Sequence, residues 1–478
     1  MTRRIPTLLM LIILCTIVAS IGAKETPATK EPAAENQASA PKPEDDYYEL
    51  YKVLVDTVDQ VERNYVKKVD RRELIEAAIE GVLTKLDPYS SYIDPDEMDS
   101  FRTTVESEFG GIGIQISVQS GSLEIISPLV GTPGYKAGLL AGDRIVEING
   151  VSTEGIKLDE AVRRLKGKCG TDVTLTVIHR GSEEKHEIKV TREIVHVETV
   201  LGDSRKEDDS WNFLYDKENK IGYVRLTAFS RDTADELREA LEEMNKDELQ
   251  GLIVDLRFNP GGLLGSAIKV SDLFIDEGRI VSTNGRNSPE RVWDAKKTGT
   301  FKGFPMAVLV NRYSASASEI VSACLQDHKR AVIVGERTWG KGSVQNVIEL
   351  EEGRSILKLT TASYCRPSGK NIHRFNDADD EDQWGVMPDE KFSLKLGDDE
   401  IAQLVHARRQ RDILRSDDSQ PEETDEFVDR QLEMALNYIE GELDKTADDA
   451  GEEGDEDGEK DQSKDATASV DESKKPGA

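Results

Sequence analysis

The chain is poor in histidine and cysteine, and its charge is weighted against basic residues. Among its 478 residues, 62 Lys and Arg oppose 93 Asp and Glu, so the formal net charge is −31. Non-specific affinity for a phosphate backbone comes from basic clusters, and we find none, which argues against a nucleic-acid-binding protein. None of the six histidines stands in a nucleophile or metal-ligand motif. A Ser-His-Asp triad therefore lacks an evident base.

The four cysteines do not have the spacing of a metal site. Cys15 belongs to residues 1–23, where a basic start, an apolar run and small residues predict a secretory signal peptide. The alternative is an uncleaved membrane anchor, although the apolar run barely approaches the ~20 residues of a span. Both interpretations predict export to the periplasm or cell envelope. Cys169, Cys324 and Cys365 would remain, and at most one disulfide could form among them.

Apolar periodicity is missing near both ends of the exported chain. Residues 24–45 are rich in Ala, Pro, Lys and Glu, and residues 446–478 carry 12 Asp and Glu against 4 Lys. Such segments cannot bury enough apolar surface to offset the entropy of ordering. We therefore predict a flexible linker at the first segment and a disordered acidic tail at the second.

Between these ends, apolar periodicity predicts an α/β multidomain protein. Two amphipathic helices, Tyr47–Tyr65 and Glu73–Leu86, form an N-terminal helical segment (46–105), which must pack on the rest of the chain or on a second subunit. Residues 193–400 alternate strands with helices, which predicts a layered α/β core. Residues 401–445 are predicted to be a C-terminal helical segment.

Residues 106–192 differ from the core, because they combine short strands with one helix, Leu158–Leu165. Three glycine-containing segments, 110–114, 131–139 and 142–150, resemble those of a PDZ domain. In a PDZ domain, N–H groups of a glycine loop hold a peptide's terminal carboxylate, and the next strand pairs with the peptide. A β domain without a ligand is the less favoured alternative. The resemblance implies that the carboxylate is bound by Gly110, Gly111, Ile112, Gly113 and Ile114.

A serine-rich turn at residues 311–320 joins an apolar strand to a helix. Its small residues would let a substrate approach closely, and the free N–H groups of a helix N-terminus can hold a developing oxyanion. The alternative is a serine-rich N-cap without catalytic function. On this segment alone, the N-cap is the better explanation.

A glycine-rich segment, Gly335–Gly342, nearly matches a phosphate-binding loop. It lacks the Ser/Thr hydroxyl for magnesium and is followed by a β-rich run, which disfavours nucleotide binding. Burial of Lys341 would instead lower the pKa of its amine and allow it to act as a base. A solvated loop lysine is the commoner alternative. Residues four apart in an extended chain share a face, so Gln345 could orient this amine.

Taken together, these segments resemble the carboxyl-terminal processing (tail-specific) proteases, serine peptidases with a PDZ domain and a Ser-Lys dyad. The likeness extends over about residues 47–395. The acidic tail and an acidic insertion, 376–383, depart from the family, and the insertion would alter access to the site. The matching segments, in the family's order, are 64–66, 78–83, 86–92, the PDZ segments, 255–264, 311–320, 335–345, 367–370 and 385–389.

The resemblance implies a layered α/β protease core with an inserted PDZ domain, and it implies roles for individual residues. Ser316 is the nucleophile, Lys341 the general base, and Gln345 the residue that orients the base. The N–H groups of Ala317 and Gly262 form the oxyanion hole. Ser316 attacks a peptide carbonyl, the lysine takes its proton and returns it to the leaving amine, and water releases the acyl-enzyme. No metal or organic cofactor is required.

The function implied is an exported serine endopeptidase that recognises the C-terminal carboxylate of protein substrates. The main rival is a noncatalytic PDZ scaffold on an inactive core, which would have no use for Ser316, Lys341 and Gln345 together. A nucleotide-dependent enzyme is a third hypothesis, and it predicts magnesium-dependent ATP binding. The expected partners are proteins or peptides with free C-termini, the membrane through the N-terminus, and a second copy of the chain through the terminal helices.

Overall fold

The structure is a computed structural model. The predicted signal peptide and the last part of the predicted tail, 456–478, lie outside the described residues, as does the linker up to residue 44. Within the described part of the chain, no helix combines the length and the apolar composition needed to cross a membrane. The described residues are 45–98, 101, 108–119, 121–375, 377–414 and 427–455.

Two helices begin the described chain, which confirms the helices predicted from apolar periodicity. Asp70 starts the second helix by accepting a hydrogen bond from the Arg72 N–H at 2.7 Å. The first helix leaves its large apolar side chains in solvent, including Leu50 at 68% exposure. The elements of this segment are α1 Asp45–Asn64, α2 Arg71–Leu83 and the short strand β1 Ser91–Ile93.

A separate β domain with its own apolar core follows the N-terminal segment. Its predicted strands and its predicted helix are all present. The elements, in chain order, are β2 Glu108–Gly111, β3 Ile114–Gln119, β4 Ser122–Pro128, α3 Pro133–Lys136, β5 Arg144–Ile148, β6 Val151–Ser152, α4 Leu158–Leu165, β7 Asp172–Ile178, β8 Lys185–Thr191 and β9 Glu193–His196.

The strands of this domain form an antiparallel sheet in the order β3-β4-β5-β7-β8, with β6 beside β5. Strand β3 lies at the edge of the sheet, and α4 contacts it. The chain enters and leaves the domain through the adjacent strands β2 and β9, in which Glu108 pairs with His196. The domain is therefore inserted into the rest of the chain at a single point.

The remaining elements build the core and its C-terminal helices. In chain order they are β10 Val200–Leu201, β11 Ser204–Arg205, β12 Trp211–Asn212, β13 Leu214–Asp216, β14 Ile221–Leu226, α5 Thr233–Lys246, β15 Gly251–Asp255, α6 Leu264–Asp272, β16 Arg279–Gly285, β17 Ser288–Asp294, β18 Met306–Val310, α7 Ala317–Asp327, β19 Val332–Gly335, β20 Ser343–Leu350, β21 Ser355–Cys365, α8 Asp398–Asp412 and α9 Arg430–Asp455.

Four parallel strands, β14, β15, β18 and β19, form the centre of the main sheet. Every residue of β14, β15 and β18 is buried, because helices cover both faces of the sheet. Helices α5, α6 and α7 pack on one face, and α9 packs on the other through Leu432, Ala435 and Ile439. This arrangement confirms the predicted α/β fold class with an inserted β domain and an N-terminal helical segment.

A second, antiparallel sheet is centred on β21. Strand β20 pairs with β21 along one edge, while β1 and β16 share the other edge. The hairpin β16–β17, which completes this sheet, was not predicted from the sequence. Through β1 the N-terminal segment becomes part of the core, since Ser91 pairs with Lys358 and Ile93 with Ile356.

The C-terminal end of the chain differs from the sequence expectation. Helix α9 continues to Asp455, so residues 446–455 are helical where disorder was predicted. A helix that is already anchored by packed residues extends at little cost, since propagation is far easier than nucleation. The cysteines Cys169, Cys324 and Cys365 are all free thiols, and none forms the disulfide that was left open.

Candidate active site

Ser316 lies between β18 and α7, in a backbone conformation that an ordinary serine avoids. Its φ is 57° and its ψ is −112°, and such strain in a residue other than glycine is concentrated at functional sites. The side chain is fully buried, and its Oγ has no hydrogen-bond partner among the described residues. A serine that served only as an N-cap would use its hydroxyl on the helix. The N-cap explanation is therefore insufficient.

The carboxylate of Glu319 joins the serine segment to the lysine segment. Its Oε2 accepts hydrogen bonds from the backbone N–H groups of Ser316 at 2.7 Å and Lys341 at 2.8 Å. Its Oε1 accepts from the Gly340 N–H at 2.6 Å and the Thr338 hydroxyl at 2.5 Å. Because two backbone nitrogens share one oxygen, the predicted nucleophile and base lie on adjacent stretches of chain. Glu319 had no predicted role from the sequence.

Burial raises the pKa of Glu319, and the hydrogen bonds from Thr338, Gly340, Ser316 and Lys341 oppose that shift. No cation is needed to hold this carboxylate in place. The glutamate is therefore a fixed geometric link between the two segments.

Lys341 is buried, with 7% of its surface exposed, so the solvated loop lysine is wrong. Its Nζ lies 5.2 Å from the centre of the Tyr89 ring. The loop that carries it, 336–342, contains no helix and continues into β20. A phosphate-binding loop requires a helix at this point, so the nucleotide hypothesis loses its structural basis.

Gln345 is fully buried on β20. Its Nε2 donates to the Ser343 hydroxyl at 2.8 Å and to the Thr360 hydroxyl at 3.2 Å. Strand β20 begins only at Ser343, and the extra residue of the bulge beside Gln345, Thr361, lies on β21, so the shared face of Lys341 and Gln345 stays a prediction. The structure nevertheless places this glutamine four residues after the lysine, inside the same buried region.

The predicted oxyanion residues lie on two adjacent turns. Ala317 is the first residue of α7, and Gly262 ends the turn that follows β15. The turn contacts the serine segment, since Asn259 O accepts from the Ala315 N–H at 3.0 Å and the Ser318 hydroxyl at 2.9 Å. Among the described residues, neither the Ala317 N–H nor the Gly262 N–H donates a hydrogen bond. Two donors are therefore available beside the serine.

Gly262 could not be another residue type. Its φ is 154°, and a Cβ at this position would lie 2.1 Å from Phe229 O. Glycine alone allows this close backbone approach. The local sequence signal for the turn, Asn-Pro-Gly-Gly, thus has a steric cause.

A buried charge network stands directly beneath the turn. Arg257 donates from Nη2 to Asp255 at 2.7 Å and to Asp429 at 2.7 Å, and Arg408 also donates to Asp255. Burial acts to raise the pKa of Asp255, but the neighbouring guanidinium groups outweigh it and lower that pKa. The network ties the end of β15 to α8 and to the start of α9. The sequence shows its first two members, but their partners lie more than a hundred residues away.

The PDZ residues divide into two groups. Gly110 and Gly111 belong to β2 and pair with Ile194 and Glu193, so their expected place in the carboxylate loop is wrong. A Cβ on Gly110 would lie 2.3 Å from Gly167 O, which explains that glycine by packing. The turn that remains comprises Ile112, Gly113 at φ 72°, and Ile114, where the edge strand β3 begins.

The acidic insertion is held near the lysine loop. Arg337, four residues before Lys341, donates from Nη1 to Asp380 O at 2.9 Å and from Nε to Trp384 O at 3.0 Å. Its guanidinium also lies 3.6 Å from the centre of the Trp384 ring. The insertion is therefore attached to the chain that supplies the predicted base.

Comparison with known proteins supports the same division of the chain. Peptidase family S41 matches residues 220–392, a PDZ domain matches 102–178, and the N-terminal domain of activating protease CtpB matches 15–97. PDZ domains bind C-terminal peptides by adding them as a strand to a sheet edge. Over the described residues, each match falls within a region that the fold distinguishes.

Curated relatives carry the same activity in their names. The chain is 39% identical over 364 residues to a carboxy-terminal-processing protease of Bartonella bacilliformis, covering 75% of this chain and 81% of that protein. It is 37% identical over 318 residues to the carboxy-terminal processing protease CtpA of Bacillus subtilis, covering 66% and 65% respectively. A solved photosystem II D1 C-terminal processing protease is 27% identical, with a TM-score of 0.41 and coverage of 77% and 97%. The chain belongs to peptidase family S41, as a serine peptidase of the carboxy-terminal processing type.

Proposed function

We propose that this protein is an exported endopeptidase that cleaves peptide bonds with a dyad of Ser316 and Lys341. The observation that carries the proposal is the shared acceptor Glu319 Oε2, which brings the backbones of both residues together. The buried serine hydroxyl has no hydrogen-bond partner among the described residues, and the lysine is shielded from water. A buried amine is the kind of group that loses its proton readily enough to act as a base.

The reaction follows from these positions. Ser316 Oγ attacks the carbonyl carbon of the substrate, and the amine of Lys341 takes the hydroxyl proton. The negative charge that develops on the carbonyl oxygen is held by the N–H groups of Ala317 and Gly262. The ammonium then gives its proton to the leaving amine, and water hydrolyses the acyl-enzyme. Gln345 orients the lysine during these transfers.

Substrate selection is assigned to the PDZ domain. Residues Ile112, Gly113 and Ile114 would bind the C-terminal carboxylate, and the peptide would pair with the free edge of β3 beside α4. A separate carboxylate sensor raises the effective concentration of the substrate at the catalytic groove. Cleavage would then be directed to proteins with accessible C-termini.

Location and assembly complete the proposal. The signal at residues 1–23 would direct the chain to the periplasm or cell envelope, where an uncleaved signal would also attach it to the membrane. Helix α1 exposes a row of apolar side chains that includes Tyr48, Leu50 and Tyr51. A second copy of the chain is the occupant that we assign to this surface, because an exposed apolar helix face is typical of an interface.

Point variants of the full chain test the dyad. Ser316→Ala and Lys341→Ala should each lower kcat/KM by about 10⁴-fold or more on an unfolded protein with an apolar C-terminus. The matched controls are Ser368→Ala and Lys370→Ala, which alter exposed residues of another family segment. If both dyad variants cleave as fast as the parent, the dyad is wrong. If the parent itself binds the substrate without cleaving it, the noncatalytic scaffold is correct.

A further inference from the structure

The turn at residues 87–90 matches a family segment, yet the mechanism above gives it no role. Asp87 Oδ1 accepts hydrogen bonds from the N–H groups of Tyr89 at 2.7 Å and Ser90 at 2.8 Å. The Ser90 hydroxyl donates to Asp87 Oδ2 at 2.8 Å. Strand β1 follows at once and pairs with β21. We call residues 87–90 the Asp-Ser turn.

The Asp-Ser turn reaches Gln345 through one intermediate residue. Thr360, on β21, donates from its N–H to the Ser90 hydroxyl at 3.1 Å and from its own hydroxyl to Asp87 Oδ1 at 3.2 Å. A hydroxyl has one proton, so Thr360 Oγ1 can only accept the hydrogen bond of 3.2 Å that it shares with Gln345 Nε2. Asp87 thereby fixes the orientation of the glutamine amide, with Nε2 and not Oε1 directed at Thr360.

The same turn also reaches Lys341. The ring of Tyr89 stands over the lysine, with 5.2 Å between the ring centre and Nζ. The Tyr89 hydroxyl accepts a hydrogen bond from Trp339 Nε1 at 3.3 Å, and Trp339 precedes the lysine by two residues. His373 packs edge-on against the tyrosine at 6.3 Å between ring centres. The ring therefore lies between the lysine and the imidazole of His373.

We propose that the Asp-Ser turn positions the catalytic base: Asp87 orients Gln345 through Thr360, and Tyr89 covers the amine of Lys341. This inference rests on the proposed function of Ser316 and Lys341. It gives the N-terminal segment a part in the reaction, because the turn belongs to that segment. The base is fully assembled only when β1 is docked on β21.

The charges around the turn agree with this role. Burial acts to raise the pKa of Asp87, but hydrogen bonds from Ser90 and Tyr89 outweigh it and lower the pKa, so the carboxylate stays an acceptor. Burial lowers the pKa of His373, so the imidazole adds no positive charge near the lysine at neutral pH. Glu319 also contacts Lys341, because its Oε2 accepts a hydrogen bond from the lysine's backbone N–H.

Kinetic measurements on the full chain test the proposal. Asp87→Asn and Thr360→Val should each lower kcat about tenfold with little change in KM, since they disturb the base and not substrate binding. Tyr89→Ala should lower kcat similarly and move the acidic limb of the kcat–pH profile up by about one pH unit, because water then reaches the amine. Tyr89→Phe keeps the ring and should restore most of the parent's kcat and its pH profile.

Two further variants separate positioning from simple docking. Glu351 binds Arg72 at 2.9 Å and Tyr92 at 3.3 Å, and so ties the N-terminal segment to the core away from the dyad. Glu351→Gln and Tyr92→Phe should therefore leave the pH profile unchanged, and melting curves would verify that every variant is folded. If these controls shift the profile as Tyr89→Ala does, the turn acts only by docking and the proposal is overturned.

The outcome also separates this inference from the proposed dyad. If Ser316→Ala retains activity, the dyad itself fails, whatever the turn variants do. If Ser316→Ala is inactive while Asp87→Asn, Thr360→Val and Tyr89→Ala all keep the parent's kcat and pH profile, only the positioning role is refuted.

Discussion

Two carboxylates are buried near the carboxyl end of the same parallel sheet, and the protein holds them in opposite ways. Asp255, at the end of β15, is fully buried between the guanidinium groups of Arg257 and Arg408. Glu319, in the first turn of α7, is equally buried but accepts only neutral donors. The first site is an ion-pair network, and the second is a hydrogen-bonded hub.

The pKa values of the two groups follow from this difference. Burial acts to raise both, and it prevails at Glu319, whereas the positive charges of Arg257 and Arg408 lower the pKa of Asp255. The cations attach the C-terminal helices to the sheet beneath the turn that contains Gly262. Glu319 is held by uncharged donors, so it fixes the serine and lysine segments without a positive charge beside the proposed base. The ion pairs of Asp255 thus stabilise the fold, whereas Glu319 holds the two segments of the proposed dyad together.

Removing a cation from the network should have the largest effect on stability. Arg257→Met leaves Asp255 and Asp429 buried without their shared guanidinium, which should lower the free energy of unfolding by about 3–5 kcal/mol. The control is Arg430→Ala, because the pair of Arg430 with Glu400 is solvent-exposed and should contribute about 0–1 kcal/mol. Urea denaturation measures both. Equal costs for the two variants would show that burial of the network does not matter.

A change at Glu319 should lower the free energy of unfolding less than Arg257→Met does, but it should lower kcat more. Glu319→Gln replaces one acceptor oxygen with an amide that faces N–H donors, which should cost about 1–3 kcal/mol. It should also lower kcat, because Ser316 and Lys341 lose their common acceptor. A variant with the parent's kcat would refute the geometric role of this carboxylate.

The stability costs of these two variants should depend on pH differently, because the pKa shifts of Glu319 and Asp255 have opposite signs. The folded pKa of Glu319 is raised above its ordinary value of 4.5, so its contribution is present below that value and is lost as the pH rises through the folded pKa. The pKa of Asp255 is lowered from 3.8, so its contribution is present above that value and is lost only as the pH falls below it. Between pH 4.5 and 7, urea denaturation should show a decreasing cost for Glu319→Gln and a constant cost for Arg257→Met. Parallel slopes would contradict the comparison.

A group of carboxylates surrounds His196 at the surface, where the chain enters and leaves the PDZ domain. His196 contacts Glu236 at 2.9 Å, Asp232 at 3.7 Å and Glu108 at 3.9 Å. Burial acts to lower the pKa of this histidine, but the hydrogen bond that the ring donates to Glu236 and the nearby negative charges raise it.

His196→Gln should therefore have the smallest effect of the series. The contribution of a protonated histidine is present below its ordinary pKa of 6.5 and is lost as the pH rises through the raised value. The side chain is 41% exposed, and solvent screening should keep the difference below about 1 kcal/mol. Melting temperatures of parent and variant should differ at pH 6 and converge at pH 9. A difference that grows with pH would refute the assigned charge.

Local pattern in the sequence was enough to predict the main elements, whereas the roles of Ser316 and Lys341 came from the family resemblance and stay a prediction. Apolar spacing predicts α1, α2 and the core strands because each depends on neighbouring residues along the chain. Ser316 and Lys341 stand in short segments that are unusually rich in serine and glycine, respectively. The fold class follows from the alternation of strands and helices.

The long-range parts of the site were not predictable in this way. The contact of Asp87 with Thr360 joins residues 273 positions apart. Apolar periodicity depends on neighbouring residues and cannot predict such a contact. The bulge beside Gln345 was not predictable either, because its extra residue, Thr361, lies on the partner strand β21. The same limit applies to Gly110, where the close approach of Gly167 O leaves no room for a side chain, and to Gly111, which pairs with Glu193.

The single point of insertion of the PDZ domain has a consequence for how such proteins diversify. Glu108 and His196 are paired neighbours on β2 and β9, so the chain returns almost to where it left. A whole recognition module could be exchanged at this junction while the path of the remaining chain stays the same. Recombination at one site would then give the same peptidase a new set of substrates.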